Sequence, residues 1–299
     1  MIPSGSVAVQ SLVIMAAGAS SRFGRLKQLE AVGPMGETLL EYSIYDAVAA
    51  GVSSVVMVVR PESESAFRRQ LAPATHSGVK ITYVRQEDPS RGGTRTRPWG
   101  TGHALLCARD VLPSSFGVIN ADDFYGRASF ELLVRNVDGS VAENAVIAFR
   151  LASTLSLAGG VNRGICVLDE HGRLERIEET LNIIGHEGTF SGLSVSDASR
   201  VLAADSLVSM NMWRLTSNLL ASMEDRWLRF VEVHGESEDA EFYIPDVVSE
   251  EIRERALSVA VIPSTAIWYG LTYSDDVLRV RSALRQMTAR GEYPTPLWK

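Results

Sequence analysis

The chain has 299 residues, 45% of them hydrophobic and 22% charged, a profile that excludes a disordered or fibrous protein and leaves room for a sizeable buried core. Its net charge of -7 argues against a general nucleic-acid or membrane-surface binder and leaves phosphorylated metabolites open as ligands. The two cysteines, Cys107 and Cys166, stand far apart in apolar contexts without a C-x-x-C spacing and read as reduced core residues.

The first apolar run, Val7 to Ala17, lacks a basic leader and is too short to span a bilayer, so a cytoplasmic location is expected. Within it, Leu12-Val-Ile-Met15 reads as a buried strand that enters a turn at Ala16-Ala-Gly18. A helix is predicted from Thr38 to Ala50, with Leu39, Leu40, Ile44 and Ala47 on one face and Gly51 as its stop. Ser54 to Val59 reads as a strand, Glu62 to Leu71 as a helix behind Pro61, and Lys80 to Val84 as a third strand. The polar stretch Arg85 to Gly100 has no periodicity and reads as a loop. Then follow a helix at His103 to Val111, a strand at Phe116 to Ile119, a helix at Phe130 to Val137 and a strand at Ala145 to Phe149. This alternation predicts an α/β fold with a doubly wound, mostly parallel sheet and ligands at the strand C-terminal ends.

Beyond Arg150 the rhythm changes to paired strands, Gly164 to Leu168 and Leu174 to Glu178, with another at Leu207 to Trp213. These read as a smaller mixed β layer over the first sheet. Helical spacing returns at Asp246 to Arg255 and Asp276 to Arg290. The expected organisation is one domain over 1–299, with a nucleotide-binding half to about residue 150 and an acceptor-binding half after it.

Three motifs carry chemistry. In the first, Ala16, Ala17, Gly18, Ala19 and Ser20 form a small-residue loop whose amides can approach phosphate oxygens, while Arg22 and Lys27 can neutralise a triphosphate. The bland alternative is an exposed Gly/Ser turn. The basic residues favour the functional reading: of 29, only Lys27, Lys80 and Lys299 are lysines, so a compact ammonium at position 27 suggests a role that needs a point charge. In the second, Gln86 precedes Trp99-Gly-Thr-Gly-His-Ala104; a glutamine amide can read a pyrimidine edge, and Gly100, Thr101 and Gly102 let a base approach the backbone, or simply form a turn and N-cap. In the third, Val118-Ile-Asn-Ala-Asp-Asp123 delivers Asp122 and Asp123 to a strand end, where hard oxygens suit Mg²⁺.

Taken together, these motifs resemble the sugar-1-phosphate nucleotidylyltransferase family, whose signature is an L-A-A-G-x-x-x-R loop followed by a lysine. The resemblance implies a nucleotidyltransferase fold in which Arg22 and Lys27 stabilise charge on the NTP phosphates, Gln86 and Gly102 read the base, and Asp122 binds Mg²⁺, with Asp123 as second choice. It also implies an acceptor site at Gly164 and Glu179, with Asn211 and Glu241 as further lining candidates. Two positions depart from the pattern. Thr180 stands where the acceptor-phosphate lysine belongs, leaving Arg163 as the candidate substitute, and Gly270 stands where a second metal aspartate belongs; Asp275 or Asp276 is the alternative for reaching the metal, with a helix cap the preferred reading of Asp275.

The implied reaction joins an NTP, with UTP favoured, to a sugar 1-phosphate with release of pyrophosphate; a phosphate nucleophile needs no general base. A cytidylyltransferase acting on a phosphorylated alcohol or amino alcohol, and a non-catalytic nucleotide-binding regulator, are the competing readings. The expected partners are the NTP and a phosphorylated small-molecule acceptor, with no nucleic acid and no membrane. The sequence does not set the oligomeric state.

Overall fold

A computed structural model describes residues 9–18, 26–87, 97–135, 143–156, 158–186, 188–196 and 198–299. Three of the loop residues singled out above, Ala19, Ser20 and Arg22, lie outside them.

The first half follows the predicted alternation. Strand β1 (Ser11–Met15) leads through a 3-10 turn at Lys27–Leu29 to helix α1 (Leu39–Ala50), β2 (Ser54–Val59), the short helices α2 (Glu64–Gln70) and α3 (Ala72–His76), and β3 (Lys80–Arg85). Next come α4 (Thr101–Cys107), β4 (Ser115–Asn120), the two-residue β5 (Asp123–Phe124), α5 (Arg127–Val134) and β6 (Asn144–Arg150). Local chemistry sets the ends of α1. Thr38 and Glu41 form a reciprocal capping box, each bonding the other's backbone amide, and Gly51 closes the helix at φ 111°, a conformation that favours glycine.

The second half contains β7 (Val161–Leu168), β8 (Leu174–His186), β9 (Thr189–Ser194), β10 (Ser199–Leu202) and β11 (Leu207–Thr216). It ends with α6 (Ser217–His234), α7 (Ile244–Arg253), β12 (Val259–Pro263), β13 (Tyr269–Gly270) and α8 (Asp276–Ala289). Helix α6, strands β9 and β10, and strand β12 are not anticipated by the sequence pattern.

Strands β4, β1, β2 and β3 pair in parallel, as expected for the first half. The second half does not form a separate layer over this sheet. Strand β11 pairs antiparallel with β4, β6 and β7, and β7 to β10 continue the same 11-stranded sheet as antiparallel neighbours. Strand β12 adds to β6 in parallel. The two halves therefore meet along β11, whose backbone groups pair with strands on both sides.

Strands β1, β2, β4 and β6 are almost wholly buried. This double-sided burial explains their unbroken apolar runs and places their first polar side chains at their ends. One cluster around Leu12, Ile14, Met57 and Ile147 fills one face, and a second around Val13, Val118, Trp213 and Trp227 fills the other. Both cysteines are free, Cys166 in the core and Cys107 half-buried, and burial pushes the Cys107 thiol up to about 11 and Cys166 up to about 12, in keeping with inert thiols. Among the described residues no helix is long and apolar enough to cross a membrane.

Candidate active site

Strand β4 is buried from Ser115 to Ile119 and ends at Asn120, which lies beside Met15 of β1. The chain then turns through Ala121 and Asp122 into β5, and the Ala121 amide donates to Met15 O at 3.2 Å. Two carboxylates thus emerge at the C-terminal end of a central parallel strand, where α/β sheets gather their ligands.

Lys27 meets them from the 3-10 turn. Its Nζ lies 2.5 Å from Asp122 Oδ2, with the two side chains 23% and 24% exposed. Two neighbours hold that turn. Gln28 Nε2 donates to Gly18 O at 3.4 Å, and from α8 Arg281 donates to Ala31 O at 2.9 Å and lies 3.1 Å from the buried Glu30 carboxylate.

A cleft of about 330 Å³ opens at this pair, lined by Lys27, Asp122, Asp123, Gly164, Glu179 and Asn211 among others. Asp123 is buried; its Oδ2 accepts from Asn120 Nδ2 at 2.9 Å and lies 3.2 Å from the Tyr125 hydroxyl. Burial, and after it the charge of Asp122, pushes the Asp123 carboxyl well above the usual carboxylate range. Gly164 and Glu179 face one another as a register pair of β7 and β8, so the cleft's far wall is built by antiparallel pairing rather than by a local motif.

The residues expected to read a base are placed differently. Gln86 Nε2 donates to Gly100 O at 3.1 Å and sits 3.1 Å from His103 Nδ1. The Gly102 amide donates to Phe242 O at 2.8 Å, and a Cβ at 102 would lie 2.6 Å from the Phe242 ring. Here the glycine allows two chain segments to touch, Phe242 packing against its backbone. Thr101 is the member of this set that lines the cleft, its Oγ1 also accepting from Ile244 N at 3.1 Å. His103 stacks on Trp227 at 4.5 Å, which is a packing role.

Arg163, the expected substitute for a phosphate lysine, is partly engaged in the protein's own structure. It lines the cleft, yet it is only 8% exposed and its guanidinium donates to Thr154 Oγ1, Thr154 O and Asn162 O, with Trp268 5.0 Å from its centre. Thr180 is fully buried against Gly192; strand alternation turns residue 180 away from the face that carries Glu179. Gly270 pairs with Asp123 across β13 and β5, and a Cβ there would lie 2.4 Å from the Trp268 ring and 2.9 Å from Asp123 Oδ1. Asp275 stands at the N-cap position of α8 as expected but its side chain makes no cap bond, while the Asp276 carboxylate accepts the amides of Thr272 and Tyr273, upstream of the helix, and the Ser156 hydroxyl. Glu241 lines a neighbouring groove of about 790 Å³ between α6 and α7.

Sequence reasoning passes over Asn120, Asn162, Tyr243 and Thr272, all of which line the cleft. Asn120 carries a usable signal, a polar residue closing an apolar strand two positions before the aspartates. The others are isolated polar residues without a motif.

With this geometry in view, residues 12–110 match the MobA-like NTP transferase domain. A UTP–glucose-1-phosphate uridylyltransferase of Salmonella typhimurium is 26% identical over 195 residues, a match that spans 56% of this chain and 62% of that relative. Among solved structures, the inositol-1-phosphate CTP transferase from T. maritima superposes with a TM-score of 0.64 at 12% identity, covering 94% of this chain and 98% of its own. A putative glucose-1-phosphate thymidylyltransferase from Bacillus anthracis, solved with sucrose, gives 0.61 at 15% identity over 92% and 95%. At these identities the two structures establish the fold. The matched stretch ends before β4, so Asp122, Gly164 and Glu179 lie beyond it.

Proposed function

We propose that this protein is a Mg²⁺-dependent nucleotidyltransferase that joins an NTP to a phosphorylated small molecule, a sugar 1-phosphate being the first choice. The observation that carries this reading is the apposition of Lys27 and Asp122 at 2.5 Å in the cleft at the end of β4. A sequence-distant ammonium and carboxylate meet there, and the same 3-10 turn bonds the small-residue segment through Gln28 and Gly18 O.

The donor set suits Mg²⁺. Among the described residues no three His, Cys, Asp or Glu side chains form a metal cage, and Mg²⁺ takes one or two carboxylates from protein and the remaining oxygens from substrate phosphates and water. Asp122 and Asp123 would hold it. When bound, the ion neutralises developing charge on the phosphate oxygens. Lys27 has the complementary task of stabilising negative charge on the NTP phosphates, and Asp122 keeps its ammonium at the cleft until a phosphate competes for it. The acceptor phosphate is already anionic, so the protein orients it in line with the α-phosphorus and supplies no base. Gly164 and Glu179 wall the acceptor side.

A cytidylyltransferase acting on a phosphorylated alcohol keeps its standing, because three Arg163 donors are engaged within the protein and residue 180 is fully buried. No acceptor-side group in this arrangement demands a sugar. The fold likeness to an inositol-1-phosphate CTP transferase is in keeping with that reading.

The test is pyrophosphate release by Lys27→Met and Asp122→Asn. Each is expected to lower kcat by about a hundredfold or more with the melting temperature little changed, the scale of losing one group aimed at transition-state charge. Unaltered turnover in both variants would remove the assignment.

A further inference from the structure

Strand β11 breaks its register with β6 between Ser209 and Trp213, and Asn211 sits within the break at φ 62°. Asn tolerates this left-handed conformation, and such bulges re-aim a side chain. The Asn211 amide is held at both ends. The Trp213 indole can only donate, so the atom 2.7 Å from Trp213 Nε1 is Asn211 Oδ1. The other end, Nδ2, donates to Asn120 Oδ1 at 2.8 Å, and Asn120 Nδ2 donates to Asp123 Oδ2 at 2.9 Å. A donor-only indole at one end and a carboxylate at the other leave each amide a single orientation.

The surroundings reinforce this direction. Trp213 is fully buried in the core. The Tyr125 hydroxyl accepts from Asn120 N at 3.1 Å and lies 2.9 Å from Met210 O, bracing the same turn from β11. Gly270 backs the other carboxylate oxygen, where a Cβ would come within 2.9 Å of Asp123 Oδ1.

We propose that Asn211 is a positioning residue: through Asn120 it fixes the direction in which the Asp123 carboxylate faces the cleft, and Trp213 sets the polarity of the chain. The proposal rests on the nucleotidyltransferase reading and deepens it. It also moves Asn211 from acceptor binding to the support of Asp123.

Two substitutions separate this role from a purely backbone one. Asn211→Gly removes the amide and keeps the left-handed conformation accessible, while Asn211→Asp keeps the shape and removes the Nδ2 donor. A residue needed only for the bulge would tolerate both. The expected result is that each variant folds, that kcat falls about ten- to hundredfold with the KM for NTP nearly constant, and that Mn²⁺ affinity measured by electron paramagnetic resonance in the presence of NTP weakens on the same scale. Trp213→Phe, which keeps a ring and removes the donor, is expected to act in the same direction. Combining Asn211→Gly with Asn120→Ala should cost less than the sum of the single changes. Should Asn211→Gly fold poorly, Asn211→Asp and Trp213→Phe carry the test. Wild-type kcat and Mn²⁺ affinity in the Asn211 variants, alongside an impaired Asp123→Asn, would overturn the proposal alone. Full activity of Lys27→Met and Asp122→Asn would instead remove the underlying reading, and the proposal with it.

Discussion

Lys27 and Asp122 reach the cleft from segments that follow β1 and β4, two hydrogen-bonded parallel neighbours, whereas Gly164, Glu179 and Asn211 reach it from antiparallel strands of the second half. On the first side, a short motif at a strand end suffices, because adjacent parallel strands bring their C-terminal loops together whatever lies between them. On the second side a residue enters the cleft only if strand register and alternation turn it there, and one step along the chain reverses its face. Glu179 and Thr180 illustrate the point: neighbours in sequence, one lines the cleft and the other is buried against Gly192.

Four changes probe this contrast. The largest effect is expected at Arg163. If its guanidinium serves the second half's own structure, Arg163→Met should cost about 3 kcal/mol or more in urea unfolding, since the Thr154 acceptors lose charged donors; a phosphate-binding arginine would instead raise the acceptor KM with stability intact.

Next is Asp46 of α1, which couples the halves by accepting from Tyr293 Oη at 2.7 Å and pairing with Arg127. Burial pushes its carboxyl up to about 6 from 3.8. The native state therefore binds this proton more tightly than the unfolded chain, and stability falls as pH rises through that window. The wild type should lose on the order of 3 kcal/mol between about pH 4 and pH 6 relative to Asp46→Asn, at about 1.36 kcal/mol for each pH unit crossed. A parallel pH course for the two proteins in unfolding titrations would rule this out.

Gly102→Ala should cost about 2 kcal/mol through overpacking against Phe242. If Phe242 yields so that the glycine serves a base, the variant will keep its melting temperature and lose NTP affinity. The smallest effect belongs to Thr180→Val. The Thr180 hydroxyl is buried without a hydrogen-bond partner, so a methyl in its place should be neutral or stabilising by up to about 1 kcal/mol, with turnover unchanged. A large drop in acceptor affinity would bring residue 180 back into the cleft.

The same contrast governs what is legible in the sequence. Strand β2 falls at its predicted bounds and α1 within one residue, because Thr38, Glu41 and Gly51 mark the helix ends by local chemistry. The aspartates and Lys27 are legible as motifs, though their 2.5 Å contact is not. Helix α6 escapes because its pattern is blurred at both faces. Leu228 and Val233 are exposed on it, while Arg226 is buried by bonds to Glu250, Glu251 and Glu254 of the following helix region. The joining of the halves into one sheet escapes as well, since strand pairing across such separations leaves no local mark. The Asn211 chain is invisible for a further reason: its meaning lies in a bulge and in donor direction, neither of which composition or spacing records.

The central claim is that the Lys27 and Asp122 cleft performs nucleotidyl transfer. The most direct measurement is pyrophosphate release with Mg²⁺ from each of the common NTPs, against a panel of sugar 1-phosphates, an inositol phosphate and phosphocholine. At least one donor and acceptor pair is expected to give turnover that Lys27→Met and Asp122→Asn abolish. Mg²⁺-dependent NTP binding with no pyrophosphate from any pair would contradict it and leave a nucleotide-binding regulator in its place.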